Sequence, residues 1–220
     1  MTKALRIGLD LAPDDPYWVL VREAIYQSAE KSAIHLVSAD AYSRRELTDQ
    51  ERIHFIDELL ALELDALISK DLPEQLCVQV LESGLPIIYA SESEVRHPRF
   101  AAPFVLNRAA QMIGHYLAER LSGQGSVLIA GGPENNSVNR VEGIHEALGK
   151  YPRIRQYHLL GPWDYTQAYT IFLETMRTLP EPVDAIFGLS DSLALAGRDA
   201  GQRVGIANSH TLITGVNGDL

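Results

Sequence analysis

Cysteine is almost missing: Cys77 is the only one in 220 residues. A lone cysteine makes no intrachain disulfide, so the fold rests on its apolar core, and cysteine usage implies no oxidising compartment. With no positioned partner, Cys77 reads as a packing residue in mid-helix. Basic residues are few, 19 Lys and Arg against 29 Asp and Glu, for a net charge of -10. They are scattered, and Arg44-Arg45 is the only adjacent pair. A phosphate-binding face needs clustered cations, so nucleic acid is not an expected partner. Long apolar runs are missing too, which excludes a membrane-spanning helix. The first residues, Met-Thr-Lys-Ala-Leu-Arg, hold no signal-peptide core and lead straight into a strand pattern, so the chain is expected to be cytoplasmic. The seven histidines show no metal-ligand spacing. Gly131-Gly132-Pro133 is not a phosphate loop, and no G-x-G-x-x-G follows a strand. No cofactor and no metal are expected.

What is present is ordinary globular composition, 46% hydrophobic and 22% charged, arranged as alternating strand and helix patterns. Short apolar runs mark strands at 5–11, 34–38, 65–69, 85–90, 101–105, 126–130, 155–160, 184–189 and 211–216. Between them lie helical periods. Val21, Ala24, Ile25 and Ala29 share one face. Thr48 with Glu51 forms a capping box before Ile53, Ile56, Leu59 and Leu60. Leu76 and Val80 precede a stop at Gly84 and Pro86. Ala110, Ile113, Leu117 and Leu121 run to Gly123. Val138, Val141, Ile144 and Leu148 run to Gly149. Asp164 caps a helix that turns Ala168, Ile171, Phe172, Thr175 and Leu179 inward. This alternation predicts an α/β fold with parallel sheets flanked by helices.

An aromatic pair, Tyr17-Trp18, stands just beyond the first strand and behind Asp15-Pro16. Rings at the carboxyl end of a strand sit where α/β folds take small molecules, and aromatic faces stack on the apolar face of a sugar. Both rings could equally be core.

Several ordered stretches resemble the type I periplasmic-binding-protein superfamily, which includes the effector domains of LacI-type repressors. They are Asp15-Pro16-Tyr17-Trp18, Leu64-Asp65-Ala66-Leu67-Ile68-Ser69, Ser83-Gly84-Leu85-Pro86-Ile87-Ile88, Gly131-Gly132 with Asn139-Arg140-Val141-Glu142-Gly143, Ser190-Asp191-Ser192-Leu193-Ala194-Leu195-Ala196-Gly197, and Thr214-Gly215-Val216-Asn217-Gly218. Asn107 falls on the first crossing between lobes. The resemblance implies two Rossmann-like lobes, residues 1–105 and 106–220, with a ligand cleft between them. It implies binding, not turnover. Family members continue past this point, so the final crossover back to the first lobe is expected to be absent and the natural protein longer.

Carried over by position, Tyr17 and Trp18 would stack on the ligand, Trp163 would face them, Arg140 would donate to ligand oxygens, and Asn107 would lie near the hinge. Asp15, Ser91, Glu92, Ser190 and Asn217 complete the expected ligand-binding set. Asp15 replaces the family's Asn, Ser91-Glu92 stand where sugar binders often have Asp-Arg, Ser190 replaces Asn, and Asn217 replaces Asp. Changing several hydroxyl-binding groups together implies a specificity moved away from ordinary pentoses and hexoses. Plainer roles stand beside these: Arg140 as a surface helix residue, Trp163 as a helix staple, Asp191 as an N-cap, Asn217 as a turn residue and Glu92 as solvated charge.

The sequence therefore predicts a ligand-sensing domain for a small, carbohydrate-like molecule. It would signal by lobe closure to a histidine kinase or DNA-binding module in the same longer chain. A transport-system solute receptor is the alternative. Because such effector domains often dimerise through lobe surfaces, a homodimer is also expected. Gly188-Leu189-Ser190-Asp191-Ser192 lies between strand and helix like a nucleophile elbow, but the motif needs glycine where Ser192 stands. A serine hydrolase using Ser190 is thus the outside enzyme alternative to a non-enzyme.

Overall fold

The computed structural model describes residues 4–11, 16–39, 48–70, 72–91, 93, 95–102, 105–132 and 138–218. The chain divides into two compact units, Met1–Phe104 and Val105–Leu220.

Unit 1 runs β1 (Leu5–Asp10), α1 (Pro16–Glu30), β2 (Ile34–Ser38), α2 (Asp49–Ala61), β3 (Ala66–Ser69), α3 (Glu74–Glu82), β4 (Ile87–Tyr89) and β5 (Phe100–Ala101). The sheet order is β2-β1-β3-β4-β5, and every pairing is parallel. β1 lies between β2 and β3, so the strand order reverses beside it. The carboxyl ends of β1 and β3 flank that switch point, where Asp10 pairs in register with Ser69.

Unit 2 runs α4 (Leu106–Arg120), β6 (Gln124–Gly131), α5 (Val138–Leu148), β7 (Arg153–Leu160), α6 (Tyr165–Thr175), a 3-10 turn (Met176–Thr178), β8 (Ala185–Gly188), α7 (Asp191–Val204) and β9 (Leu212–Thr214). Its order is β7-β6-β8-β9, again all parallel, with the switch beside β6.

One device sets the strand register in both units. In Leu64-Asp65-Ala66 and Val183-Asp184-Ala185 an aspartate precedes an apolar strand. Asp65 Oδ2 accepts the Arg6 amide at 2.8 Å, and Asp184 Oδ2 accepts the Ser126 amide at 2.8 Å. Each carboxylate ties the start of its strand to the central strand. The opposite, carboxyl ends are aligned as a result.

The helices follow the patterning with informative departures. Thr48 and Glu51 form the expected capping box, and Asp164 caps α6 by accepting the Gln167 amide. In α3, Leu76, Cys77, Val80 and Leu81 are buried. Gly84, with φ 102°, takes the chain out of that helix through a conformation that glycine adopts without strain. In α1 the expected inward residue Ala24 is exposed. In α4, Gly114 and Ala118 join Ala110 and Leu117 on the buried face, while Ile113 and Leu121 are only half-buried. The cause is close packing on α5: a Cβ at Gly114 would stand 2.6 Å from that of Ala147. In α6, Ala168 and Phe172 are buried but Ile171 is exposed, so the inward face is narrower than the pattern suggested. The strand expected at 101–105 is described only as Phe100–Ala101; residues 103 and 104 lie outside the described set, as do Arg44-Arg45 and the side chains of Ile53 and Val138.

Each unit keeps its own apolar core. Phe172 and Phe187 anchor that of unit 2, and Leu67, Leu76 and Ile87 lie in that of unit 1. Full burial of such a side chain contributes about 1.5–3 kcal/mol.

Candidate functional site

At the carboxyl edge of the unit 1 sheet the apolar strands end in polar residues. Asp10 closes β1, and Ser69 and Lys70 close β3. All three are buried, Asp10 and Lys70 being 1% and 6% exposed. A buried carboxylate or ammonium is costly unless hydrogen-bonded or paired. Ser69 Oγ donates to Asp10 Oδ2 at 2.5 Å and accepts the Leu72 amide at 3.2 Å, which fixes the direction of its proton. The Lys70 ammonium lies 4.9 Å from the centre of the Trp18 ring. Trp18 also packs on the small cluster of Leu9, Leu11 and Ala90, and Tyr17 meets it edge-on at 5.1 Å. Arg22 reaches from α1 to the Leu11 carbonyl at 3.0 Å, holding the helix start against the strand end. Trp18 is thus half-buried, packed on the core at one side and in contact with Lys70.

Ser91 follows β4 on the same edge and is half-buried. The neighbouring Ala90 amide bonds to the Ser69 carbonyl at 2.7 Å. Asp15 and Glu92 lie outside the described residues.

The carboxyl edge of unit 2 is built on a similar scheme. Trp163, just ahead of the α6 cap, lies against Gly132 at the end of β6. A Cβ at Gly132 would stand 2.5 Å from the indole, so only glycine lets the ring approach. The Arg140 guanidinium stands 5.3 Å from the Trp163 ring centre, and its Nη1 donates to the Leu189 carbonyl at 2.6 Å. Arg140 is therefore oriented by a strand-end carbonyl, and its plainer role as a solvated surface residue does not describe it. The carboxylate of Asp191 fills the space where Gly215 would carry a side chain.

Ser190, not Asp191, is the N-cap of α7: its Oγ accepts the Leu193 amide at 3.2 Å. This corrects the assignment of Asp191 as the cap. It leaves the Asp191 carboxylate in the first helical turn, where the dipole favours negative charge. Asn217 is half-buried just beyond β9.

Asn107 is placed differently from its neighbours in the expected set. It lies in the first turn of α4, where its Oδ1 accepts from Gln111 at 2.9 Å and its backbone carbonyl packs on Gly143 of α5. Its described contacts thus join α4 to α5.

Sequence reasoning missed Asp10, Ser69 and Lys70. The signal was there: a charged residue interrupts the apolar β1 run in Leu9-Asp10-Leu11, and Ser69-Lys70 ends β3 directly opposite in register.

The enzyme alternative finds no geometry. Ser190 follows the end of β8, whereas His210 precedes the start of the neighbouring parallel strand β9, at the opposite edge of the sheet. Among the described residues no group of three or more His, Cys, Asp or Glu could hold a metal ion, and no helix is long and apolar enough to cross a membrane.

A family model described as a periplasmic binding protein domain matches residues 11–220. The chain belongs to the periplasmic-binding-protein domain family. No curated protein matches it. Solved structures do. One is an ABC-transporter periplasmic solute-binding protein from Actinobacillus succinogenes 130z with bound D-allose. It has a TM-score of 0.76 and 19% identity, over 96% of this chain and 78% of that one. A solute-binding protein from Bacillus halodurans C-125 with bound myo-inositol gives 0.74 and 15%, over 94% and 74%. The fructose-binding periplasmic domain of a hybrid two-component system gives 0.74 and 17%, over 94% and 70%. These likenesses place the α/β architecture, parallel sheets flanked by helices, in the type I periplasmic-binding-protein fold. As a member of this family the chain is a binding domain and not an enzyme.

Proposed function

We propose that this periplasmic-binding-protein domain binds a small polyhydroxy, sugar-like molecule and passes the bound state to a signalling or regulatory module. The observation that carries the proposal is the matched chemistry of the two strand-end edges. Each sets an indole against a cation, Trp18 with Lys70 in unit 1 and Trp163 with Arg140 in unit 2, and carries a carboxylate on the same strand-end edge, Asp10 and Asp191. Hydroxyl groups need both donors and acceptors, and ring C–H faces need flat apolar surface. A ligand that binds one conformation of the domain better than another shifts the population toward it, which is the signal an attached module would read. The D-allose and myo-inositol bound by two structural neighbours support the ligand class, and the fructose-binding domain of a hybrid two-component system supports a sensing role.

A transport receptor is the second reading, favoured by the two ABC-transporter solute-binding neighbours. It shares the ligand chemistry and differs in the partner.

A thermal-shift screen against D-allose, myo-inositol, fructose, other monosaccharides, nucleosides and amino acids tests the ligand class. A ligand at about 100 times its dissociation constant adds roughly 2.7 kcal/mol to stability. Stabilisation confined to sugars and inositols supports the proposal, whereas stabilisation only by nucleosides or amino acids overturns it.

A further inference from the structure

We propose that α4 is a self-association surface, on which the same helix of a second copy packs antiparallel. The helix turns Ala110, Gly114, Leu117 and Ala118 into the unit 2 core. Its opposite face leaves large apolar side chains in water. Met112, at 66%, is the most exposed of the described large hydrophobics; Tyr116 is 48% exposed, and Val105, at the helix start, 58%. Their separations of seven and four residues put them on one stripe. Single exposed apolar groups are normal, but an aligned stripe marks a contact surface, and Met and Tyr are enriched in interface cores.

Charge selects the occupant. Arg108 lies four residues before Met112 and Glu119 seven residues after it, so both share the stripe's face, and both are exposed. In an antiparallel pair each Arg108 meets the partner's Glu119, while Met112 and Tyr116 fill the centre. A parallel pair would set Arg108 against Arg108. The face is complementary to its own inverted copy, as a two-fold interface has to be. A single helix pair falls short of the roughly 1,200–2,000 Å² buried by stable complexes, so the dimer is weak and concentration-dependent.

Sedimentation velocity across a protein dilution series tests this with the whole chain. The wild type is expected to shift from monomer to dimer as concentration rises. Arg108→Glu and Met112→Glu should each raise the dimer dissociation constant more than tenfold, and the double exchange Arg108→Glu/Glu119→Arg should restore it. Circular dichroism melting checks that all variants fold. A wild type that stays monomeric at every concentration overturns the proposal, as does a dimer that ignores Arg108→Glu. The readout is independent of any sugar, so it fails separately from the proposed function.

Discussion

The Lys70 ammonium, one residue past β3, stands 4.9 Å from the centre of the Trp18 ring of α1 at the strand-end edge of unit 1. Arg140 and Trp163 repeat it in unit 2 at 5.3 Å. The chain has two tryptophans, and both carry a cation. Such contacts contribute about 0.5–1 kcal/mol when exposed and about 2 when desolvated. Buried Lys70 belongs nearer the upper end.

Replacing Trp18 by alanine should therefore weaken sugar binding more than about tenfold, or about 1.4 kcal/mol. Arg140→Ala should do the same while leaving the melting transition near that of the wild type, because Arg140 is only half-buried and lies outside the apolar core of unit 2. Isothermal titration with the best hit of the screen measures both. Wild-type affinity in either variant would remove that residue from the site.

Gly132→Ala and Gly215→Ala probe the close approaches. The first drives a methyl group into the Trp163 indole, and the second drives one into the Asp191 carboxylate. Overpacking of this kind costs about 1–3 kcal/mol. Gly132→Ala should also shift tryptophan emission, because Trp163 has to move. Unchanged emission and melting would show that the ring does not rest on this glycine.

Asp184→Ala removes the acceptor of the Ser126 amide and hydroxyl. Leaving a buried donor without its acceptor costs about 1–3 kcal/mol, to be read as a lower urea midpoint at constant slope. A smaller effect would mean that β8 is registered by its ladder alone.

Burial pushes the Cys77 thiol up to about 12 from 9.0, with the nearby Glu74 and Asp10 charges adding to the effect. The folded state therefore holds the protonated thiol more firmly than the unfolded state does. That contribution is complete below about pH 9 and is lost as pH rises toward 12. At pH 8 the native protein should resist a thiol reagent that labels it rapidly in urea. Fast labelling of the native state would contradict this burial.

The fold was legible because the strands read as short apolar runs, those of β6 and β8 being the most buried, and because Thr48 and Asp164 carry local capping signals that tertiary packing leaves intact. Ala24 and Ile171 were misread as inward, since periodicity fixes a face but not how wide a strip of it the neighbouring elements cover. The site was half legible. Trp18 stood out by residue type and position, whereas Trp163 and Arg140 were named only through the family resemblance. Lys70, Asp10 and Ser69 did not stand out, because their meeting depends on the parallel register of β1 with β3, 59 residues apart in sequence for Asp10 and Ser69. Asp191 was left out because it was read as the helix cap, a place that Ser190 takes.

The most direct test uses the two tryptophans as separate reporters. Trp163→Phe leaves Trp18 as the only indole, and Trp18→Phe leaves Trp163. Each variant is titrated with the best sugar of the screen while tryptophan emission is followed. If the sugar binds at a strand-end edge, the variant that keeps the indole of that edge will respond, and its emission will report saturation at the dissociation constant that calorimetry gives for the same variant. A response from neither indole while calorimetry records binding would contradict the account.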